Sequence, residues 1–166
     1  MRRTLFFGWL LLIGAVLLAG CAPDDASAPD DASAPDGASA VRSGGLTVEV
    51  AWARPGGEGG MSALYARIGN GTGSADTLQS VATSVANTVE IHESYENEDG
   101  TRGMRPIGPL PVPSGDAVAL KPGGKHIMLI RLNDTLQVGD SLRADFEFAR
   151  TGTRTLAVPI RMQPPQ

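Results

Sequence analysis

The feature that most constrains the fold is the alternation of apolar and polar residues from Leu46 onward. In LTVEVAW (46–52) and again in LRADFEF (142–148), every second residue is apolar. Such alternation places apolar side chains on one face of a β-strand, and no stretch after residue 45 has a convincing helical period. Turn-forming Gly, Pro, Asn and Asp separate the alternating stretches. The sequence predicts strands at 46–53, 61–69, 77–83, 88–95, 116–120, 125–132, 141–149 and 154–161.

Many short strands at regular spacing are typical of an all-β fold, an antiparallel Greek-key β-sandwich or barrel. The stretch 105–115 contains four prolines, which cannot donate backbone hydrogen bonds, so it is predicted to be a stiff edge segment or a loop. The folded domain is assigned to residues 45–162, with 163–166 as a C-terminal tail. A domain of this length can bury a single core.

The N-terminus has the pattern of a lipoprotein signal peptide. Arg2 and Arg3 precede an apolar run at 5–19 that is short for a membrane span. The junction Leu-Ala-Gly-Cys ending at Cys21 resembles a bacterial lipobox, in which that cysteine becomes the lipidated first residue of the mature protein. Residues 1–20 are therefore predicted to be the signal peptide. We expect an exported protein, lipid-anchored at the cell membrane and facing the periplasm or extracytoplasmic space.

Residues 21–44 are predicted to form a disordered linker after the lipidated cysteine. They contain a six-residue repeat of Ala, Pro, Asp and Ser, which has little apolar surface to bury. The whole chain has 14 basic and 18 acidic residues. That balance provides no basic face for a nucleic acid. We expect a monomer whose membrane contact is the lipid anchor.

Both histidines of the chain lie in one window, each with a methionine available as a partner. His126 and Met128 are two residues apart in a predicted strand, so their side chains share a face. His92 and Met104 precede them. A lone surface histidine or a lone core methionine would be unremarkable. Together, imidazole and thioether donors without a thiolate favour Cu(I).

The spacing of these residues resembles a family signature. His92 is followed by Glu93, ten residues, Met104, twenty-one residues, and then His126-Ile127-Met128. This is similar to the H(M)-x10-M-x21-H-x-M signature of the periplasmic copper chaperones of the PCuAC family. Glu93 occupies the position at which the signature has an optional methionine. The flanking stretches VEVAWARP, EIHES, GMRPIG and LKPGGKHIMLI also match, and the resemblance covers residues 46–160.

The resemblance implies a cupredoxin-like sandwich that carries copper and is not an enzyme. It implies one copper ion, as Cu(I), delivered to the copper A centre of cytochrome c oxidase subunit II or to another acceptor. A thiol-reductase co-chaperone is a further implied partner. The implied ligands are His92, Met104, His126 and Met128.

Four other residues receive structural assignments. Met61 and Met162 fall outside the signature and are predicted to have no metal role. Trp52 and Tyr65 are predicted to be core residues.

Other functions remain as alternatives. A metal-free lipoprotein interaction module would not need the two histidines to meet, and a copper-buffering or tolerance protein would use the same ligands without delivery. A blue-copper electron-transfer protein is disfavoured, because such sites need a cysteine thiolate and Cys21 is the sole cysteine. No nucleophile–base constellation indicates an enzyme.

Overall fold

The computed structural model describes residues 39–43 and 45–165. The predicted signal peptide, Cys21 and the repeat up to residue 38 lie outside these residues. The described residues form eleven β-strands and no helix, and so no helix there could cross a membrane. The strands are β1 (Ser39–Ser43), β2 (Leu46–Ala53), β3 (Met61–Asn70), β4 (Asp76–Ala82), β5 (Ala86–Glu96), β6 (Arg102–Pro106), β7 (Leu110–Val112), β8 (Ala117–Leu120), β9 (Lys125–Leu132), β10 (Ser141–Phe148) and β11 (Gly152–Pro159).

The strands form two antiparallel sheets. The larger sheet has the order β1-β2-β3-β9-β5-β6, and β8 pairs with the half of β3 that β9 leaves free. The smaller sheet has the order β11-β10-β4-β7. The chain crosses repeatedly from one sheet to the other, as a Greek-key sandwich requires. The predicted all-β, cupredoxin-like sandwich is confirmed.

The core lies between the two sheets and explains why the strands alternate. In β10, every second residue from Leu142 to Phe148 is buried and the residues between them are more exposed. Phe146 of the smaller sheet belongs to the same cluster of buried residues as Ile127 and Leu129 of the larger sheet. Burying such a side chain contributes about 1.5–3 kcal/mol. Because Ile127 and Leu129 face this core, the residues between and beside them in β9 project from the outer face of the larger sheet.

The eight strands predicted from alternation are present, with edges that differ by at most two residues. Three further strands were not predicted as strands. Strand β6 forms the edge of the larger sheet and β7 the edge of the smaller one. Pro111 lies within β7, where an edge position tolerates the missing backbone donor. The expectation of an edge segment in 105–115 therefore holds, but this stretch also contributes paired strands.

One boundary of the predicted linker is wrong. Residues 39–43 were assigned to the disordered segment, yet they form β1, which pairs antiparallel with β2. Edge pairing depends on backbone hydrogen bonds and needs no apolar alternation. For this reason the sequence pattern gave no signal for a strand there.

A β-bulge in β2 changes the face on which Trp52 lies. Glu49 pairs with Arg67 and Trp52 pairs with Tyr65, so three steps on β2 match two on β3. Val50, at φ 53°, occupies the left-handed region that branched residues rarely adopt. The simple alternation through Val50 and Trp52 is broken, and Trp52 moves to the outer face of the sheet.

Candidate metal centre

Strand pairing brings the two histidines together. His92 on β5 pairs directly with His126 on β9, and their ring centroids are 6.0 Å apart. Directly paired residues of antiparallel strands project from the same face. The sheet thus joins two imidazoles that are far apart in the sequence.

The two signature methionines lie on this same face. Met128 pairs with Glu90, two residues before His92, and Met104 on β6 pairs with Ser94, two residues after it. Alternate residues of a strand share a face, so all of these side chains project together. Met128 is buried, whereas Met104 is 57% exposed. One thioether is therefore held within the sheet surface and the other lies at its rim.

A cavity of about 400 Å³ opens over this face. Three of the predicted ligands line it: Met104, His126 and Met128. His92, the fourth predicted ligand, is absent from the described residues that line the cavity. Its ring lies next to the ring of His126, which does line the cavity. The structure therefore brings all four predicted residues into one region, with three of them facing a common space.

The His126 ring is oriented by a backbone carbonyl. Its Nδ1–H donates a hydrogen bond of 2.9 Å to the carbonyl oxygen of Gly124. A carbonyl can only accept, so the neutral ring keeps its lone pair on Nε2. Metal-binding histidines commonly donate their other ring N–H in this way. His126 is also 97% buried, its exposure being 3%, and so its ring has little freedom to turn.

Glu90 performs the same role for His92. Its Oε2 accepts a hydrogen bond of 2.8 Å from Nε2 of the His92 ring. Within the described part of the chain, His92 Nδ1 is buried and has no hydrogen-bond partner. A buried nitrogen without a partner normally costs stability. A lone pair left on Nδ1 fits a metal donor, with the carboxylate fixing the tautomer from the other side.

Sequence reasoning missed Glu90. The available signal was its position two residues before His92, which places both side chains on one strand face. We expect Glu90→Gln to weaken Cu(I) binding about tenfold, the lower end of what outer-shell partners of metal ligands contribute. The neutral amide can present either its oxygen or its NH₂ to the ring, so the tautomer is no longer fixed. Competition against a coloured Cu(I) chelator measures the effect.

Glu93→Gln is the matched control for that prediction. Glu93 pairs with Arg105, whose Nε and Nη2 donate to Oε1 of Glu93 at 2.8 and 2.6 Å. It is the neighbour of His92 in the strand, so its side chain lies on the other face. The control variant should bind Cu(I) as tightly as the parent. Equal affinities for Glu90→Gln and the parent would contradict the orienting role of Glu90.

The Tyr65 ring lines the cavity of the candidate centre, and the Trp52 ring packs against Tyr65. The Trp52 and Tyr65 ring centroids are 4.6 Å apart, and Tyr65 lies 6.4 Å from His126. Both aromatic residues are buried, in agreement with the sequence prediction, but neither belongs to the cluster between the sheets. Tyr65 packs beside His126 on the outer face of the larger sheet, and Trp52, which the β2 bulge places on the same face, packs against Tyr65.

Met61 also lines the cavity, although it was predicted to have no metal role. It begins β3 and is 63% exposed. Met162 is similarly exposed, at 59%, but does not line the cavity. Met61, Ala63 and Tyr65 are alternate residues of β3 and so share one face of the strand. This spacing could have indicated from the sequence that Met61 lies on the same face as Tyr65.

Residues 46–160 match the sequence profile of the family described as "Putative lipoprotein LpqE-like". The chain belongs to this family. It is also 30% identical over 118 residues to the protein named "Putative lipoprotein Lxx21020" of Leifsonia xyli subsp. xyli, covering 70% of this chain and 70% of that one.

Solved PCuAC domains have the same fold. The apo PCuAC domain from PmoF1 is 25% identical with a TM-score of 0.63, covering 75% of this chain and 99% of that domain. The copper-bound PCuAC domain from PmoF2 is 22% identical with the same TM-score, covering 75% and 98%. The solution structure of CuI-DR1885 from Deinococcus radiodurans has a TM-score of 0.53 at 22% identity, covering 68% and 76%. The resemblance to the PCuAC family is thus confirmed.

Proposed function

We propose that this LpqE-like protein is an extracytoplasmic Cu(I) carrier with one copper site. The proposed ligands are His92, Met104, His126 and Met128. The observation that carries the proposal is the direct pairing of His92 with His126, beside a cavity that also receives two thioethers. This donor set suits Cu(I), a soft ion.

The arrangement of the donors suits a carrier that must release its cargo. His126 and Met128 are buried and oriented, so they supply the stable part of the site. Met104 is exposed at the rim and can leave the ion without disturbing the sheet. No thiolate takes part, and thioethers bind Cu(I) without a proton to lose. The names of two structural neighbours, a copper-bound PCuAC domain and CuI-DR1885, support copper as the cargo.

The test is an anaerobic titration of the protein with Cu(I) against a coloured Cu(I) chelator. We expect one equivalent to be withdrawn from the chelator. A protein that leaves all of the copper with the chelator would contradict the carrier proposal and favour the metal-free interaction module.

We further propose that the acceptor is the copper A centre of cytochrome c oxidase subunit II, with a thiol-reductase co-chaperone keeping its cysteines reduced. This step rests on the resemblance to the PCuAC family. Mixing the Cu(I)-loaded protein with the reduced apo copper A domain should transfer copper to that domain. Retention of copper by the carrier would instead support the buffering alternative.

The lipobox supports anchoring of the protein through Cys21. Lipoprotein relatives support the same proposal. In cells, Cys21→Ser should move the protein from the membrane fraction to the soluble extracytoplasmic fraction, because the thiol that receives the lipid is lost. Fractionation and immunoblotting measure this, with Ser27→Ala in the repeat as the control. A Cys21→Ser variant that stays in the membrane fraction would show that another segment holds the protein there.

A further inference from the structure

A third thioether faces the candidate copper cavity. Met61 lines the cavity together with Met104, His126 and Met128. Most exposed methionines need no functional explanation. Met61 differs because its side chain borders the same space as three proposed ligands, whereas the equally exposed Met162 does not.

The strand register explains how Met61 reaches this space. Ala63 on β3 pairs directly with Met128 on β9, and Met61 lies two residues before Ala63. Met61 and Met128 are thus diagonal neighbours on one face, a separation of roughly 7–8 Å that long side chains can close. Ala63 also lines the cavity, and its methyl group fills little of the space beside the two methionines.

Exposure divides the three thioethers into two kinds. Met128 is 8% exposed, whereas Met104 and Met61 are 57% and 63% exposed. Methionine is flexible about three rotatable bonds, so an exposed one can follow an ion over a short distance. The cavity therefore has one buried thioether and two exposed ones, on the separate strands β6 and β3.

We propose that Met61 is a transfer ligand, which binds Cu(I) while the ion is loaded and released. In this step the Met61 sulfur forms a bond to Cu(I) as a bond from another ligand to the ion breaks. The ion remains Cu(I) throughout, and neither an electron nor a proton moves. The inference rests on the proposed function, because it assigns a further ligand to the same site.

The first measurement is NMR of the protein with ¹³C-labelled methionine methyl groups. Met61→Leu and Met162→Leu assign their own resonances. On addition of one equivalent of Cu(I), the Met61 methyl signal should shift or broaden together with those of Met104 and Met128. The Met162 signal should stay in place and serves as the internal reference.

The second measurement separates the rate of transfer from the affinity. We expect copper transfer from Met61→Leu to a Cu(I) chelator to be about tenfold slower than from the parent, an effect within the range of outer partners of metal sites. Its equilibrium affinity should fall by less than about threefold, which is under 1 kcal/mol. Met162→Leu should match the parent in both. Leucine has a similar volume, and the site is exposed, so folding should be preserved.

The outcomes distinguish this inference from the function on which it rests. Movement of the Met104 and Met128 signals without that of Met61, or an unchanged transfer rate in Met61→Leu, would overturn the transfer role and leave the carrier intact. If none of the three methyl signals moves with Cu(I), both proposals fail.

Discussion

The double variant Met104→Leu/Met128→Leu is expected to lose Cu(I) affinity by more than about 100-fold, since even outer partners of metal ligands are worth 10–100-fold. Leucine keeps the approximate volume of methionine while removing the soft donor. Of the four proposed ligands only the two imidazoles would remain, and the exposed Met61 would be the last thioether lining the cavity. Anaerobic competition against a Cu(I) chelator measures the loss.

Met162→Leu is the control for that variant, because Met162 is exposed and lies outside the cavity. It should bind Cu(I) like the parent. Thermal unfolding of the apo proteins tests whether the double variant is still folded, which matters because Met128 is buried. A folded double variant that competes as well as the parent would contradict the proposed ligand set.

The second large effect is expected away from the candidate metal centre, at Asp76 on β4. Its carboxylate is buried and connects the start of β4 to the turn between β10 and β11. Oδ1 accepts the backbone N–H of Thr77 and of Arg150, at 2.8 and 2.9 Å. Oδ2 accepts both the backbone N–H and the hydroxyl of Thr151, at 3.0 and 2.7 Å. The carboxylate therefore satisfies four donors.

Asp76→Ala should lower the free energy of unfolding by about 3 kcal/mol, because buried donors that lose their acceptor cost 1–3 kcal/mol each and some will reach water. Urea unfolding at neutral pH measures the loss. Asp116→Ala is the control: its carboxylate is exposed and accepts the backbone N–H of Ala117. A loss for Asp76→Ala no larger than that of the control would show that the four hydrogen bonds contribute little.

The same carboxylate predicts a pH dependence. Burial raises the pKa of Asp76, but the hydrogen bonds from Thr151, Arg150 and Thr77 outweigh burial, and its pKa lies below the ordinary value of 3.8. A group whose pKa is lower in the folded state adds stability above its unfolded pKa. That stability is lost as the pH falls through the folded pKa. The stability difference between the parent and Asp76→Ala should therefore be full above about pH 4 and shrink at lower pH.

Much of the fold was predictable because buried strands show a local alternation of apolar and polar residues in the sequence. Residues that face the core alternate with residues that face outward, as in β10, and turns between strands favour Gly, Pro, Asn and Asp. In three strands at the edges of the sheets this alternation gave no usable signal. Strands β1, β6 and β7 pair on one side only and rely on backbone hydrogen bonds, which every non-proline residue can make. The alternation missed these three, although β8 and β11, which also pair on one side only, were predicted.

Departures from regular pairing were also hidden from the sequence. The bulge at Val50 breaks an alternation that reads as uninterrupted, because its left-handed backbone has no marker such as glycine. It decides that Trp52 lies on the outer face of the larger sheet, against Tyr65, and outside the cluster between the two sheets. A bulge is a property of two paired strands, so one strand alone does not specify it.

The sequence by itself determined the chemistry of the candidate site: two imidazoles, two thioethers and no thiolate, with His126 and Met128 on one strand face. Local spacing suffices for that, because strand geometry fixes the relation of residues two apart. Only the tertiary structure decided which residues on different strands meet. The pairing of β5 with β9 places His92 opposite His126 and Glu90 opposite Met128, and the pairing of β3 with β9 adds Met61. Such meetings depend on long-range register, which is set when the sheets close around the core and not by neighbours along the chain.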